Sequence, residues 1–178
     1  MTGWAAAVLD FWFGVDPDRW WRADAEFDRQ IAKRFLDLWE DKRRLPADAF
    51  LGSQDEALAA VLLFDQLPRN MFRGHADQFS TDHLARAVAR SAVDRGLDEA
   101  LPPARRQFLY MPFQHSEAID DQRRSLASFT ALGEPDQMRF ARLHHDVIAR
   151  FGRFPHRNAM LGRKPTRAER NAGEVVPW

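Results

Sequence analysis

SQDEALAAVLLF, Ser53 to Phe64, sets a glutamate three residues after a serine and follows the pair with eight apolar residues and no glycine or proline. A serine and a glutamate in that register can each satisfy an orphaned backbone donor of the other at a helix start. The stretch therefore predicts a capped helix. Being apolar on nearly all sides, it also predicts a helix at the centre of the protein.

Outward from it the same period recurs. Phe27, Ile31, Phe35 and Leu38 are separated by four, four and three residues, which places them on one face of a helix from about Trp20 to Arg44. Leu84, Val88 and Ala92 form one stripe from about Ser80 to Arg95, ahead of Gly96. Pro102 and Pro103 suit the entry of a short helix through Tyr110 that Pro112 should end. Ser116 can cap a helix to about Leu132, and Pro135 fits the first turn of another that runs to Phe151 and stops at Gly152. No segment shows sustained strand alternation. The expectation is an all-α chain, an irregular antiparallel bundle or array of about six to eight helices with no clean 34-residue period. The aromatic residues Trp4, Phe11, Trp12, Phe13, Trp20 and Trp21 are read as core packing rather than a ligand cage, since each buries a large area.

Composition narrows the function classes. A chain of 178 residues suits one domain, taken as residues 1–178, able to bury roughly 70% of its unfolded surface. It has no cysteine, so disulfides, cysteine nucleophiles and zinc ribbons are excluded. Lysine plus arginine and aspartate plus glutamate both total 26, which gives no global attraction to nucleic acid or membranes. The first hundred residues carry a net −5 and the remainder +5. The opening MTGWAAAVLDFWFG has no basic n-region, and no apolar run approaches a spanning helix, so a cytoplasmic protein without membrane contact is expected.

Three polar segments each follow an aromatic-rich helix: FDQLPRNMFRG (Phe64 to Gly74), FLYMPFQHSE (Phe108 to Glu117) and FGRFPHRNAMLGR (Phe151 to Arg163). The first and third share an aromatic residue, a proline, an Arg-Asn pair, an apolar pair and a glycine, with a one-residue offset. Structural corners account for the prolines and asparagines. The charges ask for more. Arg69, Arg73, Arg153 and Arg157 are four permanent cations, against Asp65 and Glu117 nearby in sequence. An unpaired arginine among aromatics is unfavourable by several kcal/mol. Asp146, Asp120 or Asp121 could fold over the clusters, the arginine tips could reach water, or an anion could sit in the arginine forks.

His144 falls on the stripe Phe140, His144, Val147, Ile148 and Phe151, whereas His145 points about 100° away. A histidine on such a stripe reads as a hydrogen-bonded core residue, unless it approaches His115 or His156 and becomes a base or ligand. No HExxH pair or other ligand set is present, so no metal site and no cofactor is expected. Ser116 has no glycine-flanked elbow to make it a nucleophile.

VLDFWFG near the start, LLFDQLPRNMFRG, FLYMPFQHSE and RFGRFPHRNAMLGR resemble, in order and over nearly the whole chain, the blocks of the bacterial family catalogued as domain of unknown function 924. The resemblance implies an all-helical fold similar to tetratricopeptide-like domains, with no established activity to transfer. It implies that Asp65, Gln66, Pro68, Arg69, Asn70, His115, Ser116, Glu117, His144, Gly152, Arg153, Pro155, His156, Arg157 and Asn158 occupy characteristic positions. Pro165 stands where the family usually has a serine after LGR, which puts a cap or contact from that serine in doubt.

The residues support an interhelical pocket for a small anionic, phosphate- or carboxylate-bearing ligand. Arg69, Arg153 and Arg157 would hold the charge and Asn70 and Asn158 would orient it, while Asp65 and Glu117 position the arginines. His115, His144 and His156 complete this ligand set. Catalysis is undecided, with His115, Glu117 and His156 as candidates for proton transfer. The alternative is a non-enzymatic tetratricopeptide-like scaffold that binds a peptide or protein partner; nucleic acid is disfavoured because basic residues are spread among acidic ones.

Overall fold

The structure, a computed structural model, describes residues 3–173, which are helical with no strand. The chain divides into two compact units at the Pro112–Phe113 peptide.

The first unit holds α1 (Gly3–Phe13), α2 (Ala25–Lys42), α3 (Gln54–Val61), α4 (Leu67–Met71) and α5 (Asp82–Asp94). The expected helix from Trp20 begins later, because Pro17–Trp20 winds into a separate 3-10 turn and Asp24 caps α2, its side chain accepting from the Glu26 and Phe27 amides. Arg19 donates to that same aspartate at 2.7 Å. The buried stripe of α2 is Phe27, Ile31, Phe35 and Trp39; Leu38, expected in it, is only half-buried. Ser53 accepts the Glu56 amide as the capping register requires. Every residue of the following apolar run is fully buried, so this helix is indeed central.

Between α3 and α4 the helix does not stop but widens into a π turn over Leu62–Gln66, where the Leu67 amide reaches back five residues to the Leu62 carbonyl. Read as one rod, this leaves eight helices among the described residues. Pro68 explains the turn. It has no N–H for the Phe64 carbonyl, and its ring would collide with that carbonyl in a regular α-helix. The Thr81 hydroxyl takes the vacant role, donating to Phe64 O at 2.8 Å, and accepts the Trp39 indole N–H at 3.1 Å. Thr81→Val keeps the shape but leaves a carbonyl and an indole unpaired in the core. We expect it to lower unfolding free energy by about 2 kcal/mol in urea melts.

The helix α6 (Pro103–Gln114) begins where the prolines predict but continues through Pro112 instead of ending before it. Proline removes one hydrogen bond there, and so close to a helix end only the final turn is affected. The second unit contains α7 (Ile119–Leu132), α8 (Pro135–Phe151) and α9 (Arg167–Ala172). The helices α7 and α8 pack on each other and stop at Gly133 and Gly152, both left-handed at φ 79° and 70°. Ala118, not Ser116, is the α7 N-cap. Ser116 lies two residues outside it, accepting the Ala118 amide and donating to Asp121 at 2.7 Å.

Candidate functional site

The polar segments of the first unit are internally neutralised. Asp65 is fully buried and pairs with Arg69, whose guanidinium also grips Asp82 at 2.9 and 3.1 Å. Asn70 donates to Asp28 at 2.8 Å, and Arg73 holds the same carboxylate bidentately at 2.6 and 2.9 Å.

The second unit repeats this device on another backbone. Asn158 donates to Glu169 at 3.0 Å, and Arg153 clamps that carboxylate bidentately at 2.6 and 3.0 Å. In both Arg-Asn segments the asparagine thus engages a distant carboxylate rather than the backbone of its own turn. The first segment is helical, whereas the third is a 3-10 turn over Pro155–Arg157, so what the matched letters share is the asparagine's carboxylate bond; the gripping arginines, Arg73 and Arg153, come from unmatched positions.

Glu169 is the anchor of this unit and was not among the sequence candidates. Its backbone N–H donates to Thr166 and its carboxylate accepts the Thr166 amide, a reciprocal capping box whose N-cap lies one residue beyond Pro165. The pattern Thr-Arg-Ala-Glu was the available signal. Together the Arg153, Asn158 and Thr166 bonds supply four N–H donors to its two oxygens, and the Arg153 bond is the main reason its pKa falls to about 2.

Glu117 joins the second polar segment to the third. It accepts the Phe154 amide at 2.8 Å and both terminal nitrogens of Arg163 at 2.7 and 3.0 Å. Burial would raise its pKa, but the Arg163 and Phe154 bonds prevail and lower it. Arg163, also missed, continues to Asn158 at 3.0 Å, so Glu117, Arg163, Asn158, Glu169 and Arg153 form one chain of alternating donors and acceptors. Removing Glu117 would strip Arg163 of its carboxylate and Phe154 of its acceptor. Glu117→Ala should therefore lower stability by about 2 kcal/mol and expose the Phe154 amide to hydrogen exchange.

The aspartates proposed from sequence do other work. Asp120 bonds Arg123 at 2.7 Å, Asp146 lies beside His145 at 3.1 Å, and Asp121 takes the Ser116 hydroxyl. Arg157 is buried with its guanidinium 4.5 Å from the Phe154 ring centre.

The rings of His115, His144, Phe154 and His156 follow one another at centroid spacings of 6.3, 5.7 and 5.6 Å. His144 is buried, and its Nδ1 lies 2.7 Å from the Phe140 carbonyl, which assigns the proton to Nδ1. The Gln114 amide nitrogen lies over the ring edge, 3.2 Å from Nδ1 and 3.4 Å from Nε2. Burial first, and the neighbouring His115 next, push the His144 pKa down to about 3. Burial and the Arg157 charge push His156 to about 4. Both are neutral at pH 7. His144 is thus a hydrogen-bonded member of the buried face that also approaches His115. Among the described residues no group of three histidine or carboxylate side chains is placed to hold a metal ion.

Behind this row, the buried face of α7 is mostly polar: Asp121, Gln122 and Ser125, with Phe129. Gln122 donates to the carbonyls of Gln114 and Ser116, both at 2.7 Å, which pins the segment bearing His115.

Beside the Glu169 clamp lies a depression of about 530 Å³, whose polar wall includes His156, Asn158, Arg163, Glu169 and Arg170. Pro155, Ala159 and Pro165 supply its apolar part. Of the sequence candidates, His156 and Asn158 line it directly, and Glu117 and Arg153 stand behind it through Arg163 and Glu169.

Fold and site together define an all-α protein whose polar segments are carboxylate clamps, one of them bordering an open depression. The chain belongs to the family of bacterial proteins of unknown function designated domain of unknown function 924, whose model matches residues 8–172. It is similar to a protein of unknown function from Agrobacterium tumefaciens whose structure has been solved, with 42% identity, 97% of each chain covered and a TM-score of 0.90. Among curated proteins no significant match is found. No helix among the described residues is long and apolar enough to cross a membrane.

Proposed function

We propose that the depression in the second unit binds a small anion. The supporting observation is how the donors and acceptors of its wall are used. Glu169 already receives four N–H donors and Glu117, behind Arg163, receives three, so both carboxylates are committed to the protein's own donors and Arg153 and Arg163 are committed to them. Arg170 differs. Among the described residues its hydrogen bonding is confined to the Pro165 carbonyl at 2.6 Å, through one terminal nitrogen.

In this reading Arg170 supplies the charge, and Asn158, Arg163 and neutral His156 shape the wall. Glu117 and Arg153 act as positioning residues, since each is held in a bidentate pair. Asp65, Arg69 and Asn70 belong to the other unit, where their own pairings account for them.

A thermal-shift screen of phosphate and small carboxylates tests the reading. A ligand at about 100 times its Kd stabilises by about 2.7 kcal/mol, a rise in Tm on the order of 5 to 10 °C for a chain of this length. If no anion raises Tm, the site is not an anion site.

A further inference from the structure

Resting on that reading, we infer that the ligand class is a monocarboxylic acid with an apolar body, its carboxylate on the edge of Arg170 that bonds no other described residue and its chain against Pro155, Ala159 and Pro165. Two observations separate this from a phosphate. The first is donor count. Tight phosphate recognition needs several converging donors, commonly more than one cation or a run of backbone amides. Here the Thr166 and Glu169 amides at the start of α9 are taken by their own capping box. Arg163 spends its nitrogens on Asn158, Glu117 and the Phe154 carbonyl. Among the described residues what remains is essentially one guanidinium edge, Nε and the second terminal nitrogen of Arg170. Two parallel N–H groups match the two oxygens of one carboxylate.

The second observation is the apolar part of the lining. Two prolines and an alanine offer no hydrogen bond from their side chains, and the two prolines also lack a backbone N–H. They give an alkyl chain a surface to bury and give a second charged group nothing. His156, neutral at pH 7, adds no charge that would favour a dianion.

The test uses acetate, butyrate, hexanoate and inorganic phosphate on the whole chain at pH 7, by calorimetric titration. Each methylene buried should tighten binding about threefold to fourfold, so affinity should climb along the alkanoates. Arg170→Ala should abolish binding of all three. Arg142→Ala, an exposed arginine outside the depression, should change nothing. Phosphate binding without alkanoate binding overturns the ligand class and leaves the anion site standing. No binding of either overturns both. Alkanoates that bind with no dependence on length, or equally well to the Arg170→Ala protein, overturn the apolar contact or the role of Arg170 respectively.

Discussion

Phe108→Ala should lower the unfolding free energy by about 4 kcal/mol, the range in which a buried aromatic ring is replaced by a cavity. Phe108 is fully buried, with Trp12, Phe13, Trp20 and Trp21 around it at centroid distances of 5.7, 5.6, 5.0 and 6.0 Å. Three of these contacts are edge-on and the Trp21 contact is stacked, so the ring is a hub that neighbouring side chains cannot collapse upon without losing their own geometry. Phe108→Leu keeps most of the volume and should be much milder. Urea unfolding followed by tryptophan fluorescence reads this directly, because Trp4, Trp12, Trp20, Trp21 and Trp39 all lie in the first unit. A loss below 1 kcal/mol for the alanine variant would mean the cluster is loosely packed and nearer to the cage that sequence reasoning set aside.

The helices were legible because they are written locally. The Ser53–Glu56 register, the four-residue spacing of Phe27, Ile31 and Phe35, and Pro135 with Gly152 each fix an element within a few residues. Errors arose where a distant group decided the outcome. The π turn depends on Pro68 needing a substitute donor that comes from Thr81, 13 residues later. Ser116 differs only by register: its hydroxyl still accepts an amide, that of Ala118, but the helix begins after Ala118.

The same distinction governs the site. Proximity in sequence correctly marked Asp65 as a partner of Arg69 but offered nothing for Arg73 and Arg153. Their carboxylates, Asp28 and Glu169, stand 45 and 16 residues away. For Arg73 and Arg153 the apparent excess of charge was therefore a limit of looking along the chain. Glu169 could have been suspected from its capping box, since a glutamate at that position already faces back toward the turn before its helix. Its use as a clamp for Arg153 needs the fold. What sequence did convey was the density of arginine and asparagine, part of which the structure explains as two carboxylates, Asp28 and Glu169, each held by one arginine and one asparagine.

Acidification from pH 7 to pH 4 should strip stability chiefly from the second unit, and His144 carries the largest share. An unfolded histidine takes a proton near pH 6.5, whereas His144 in the folded protein resists it down to about 3. Across that window the unfolded chain binds more protons, so stability is complete above pH 6.5 and falls as the pH drops toward 3. By pH 4 the loss from His144 is on the order of 3 kcal/mol. His156, lowered to about 4, acts in the same direction over a narrower window. Glu169 follows at lower pH: its contribution is complete above about 4.5 and is lost as the pH approaches 2. The cause is geometric, for a charged His144 would be buried beside His115, His156 and Arg157, and the bond to the Phe140 carbonyl opposes this only in part. Urea midpoints from far-UV circular dichroism at pH 7, 5.5 and 4 should fall steeply in the wild type. They should fall less in His144→Gln, which stays uncharged while keeping a donor and an acceptor. If both proteins lose stability in parallel, the acid sensitivity arises elsewhere in the chain.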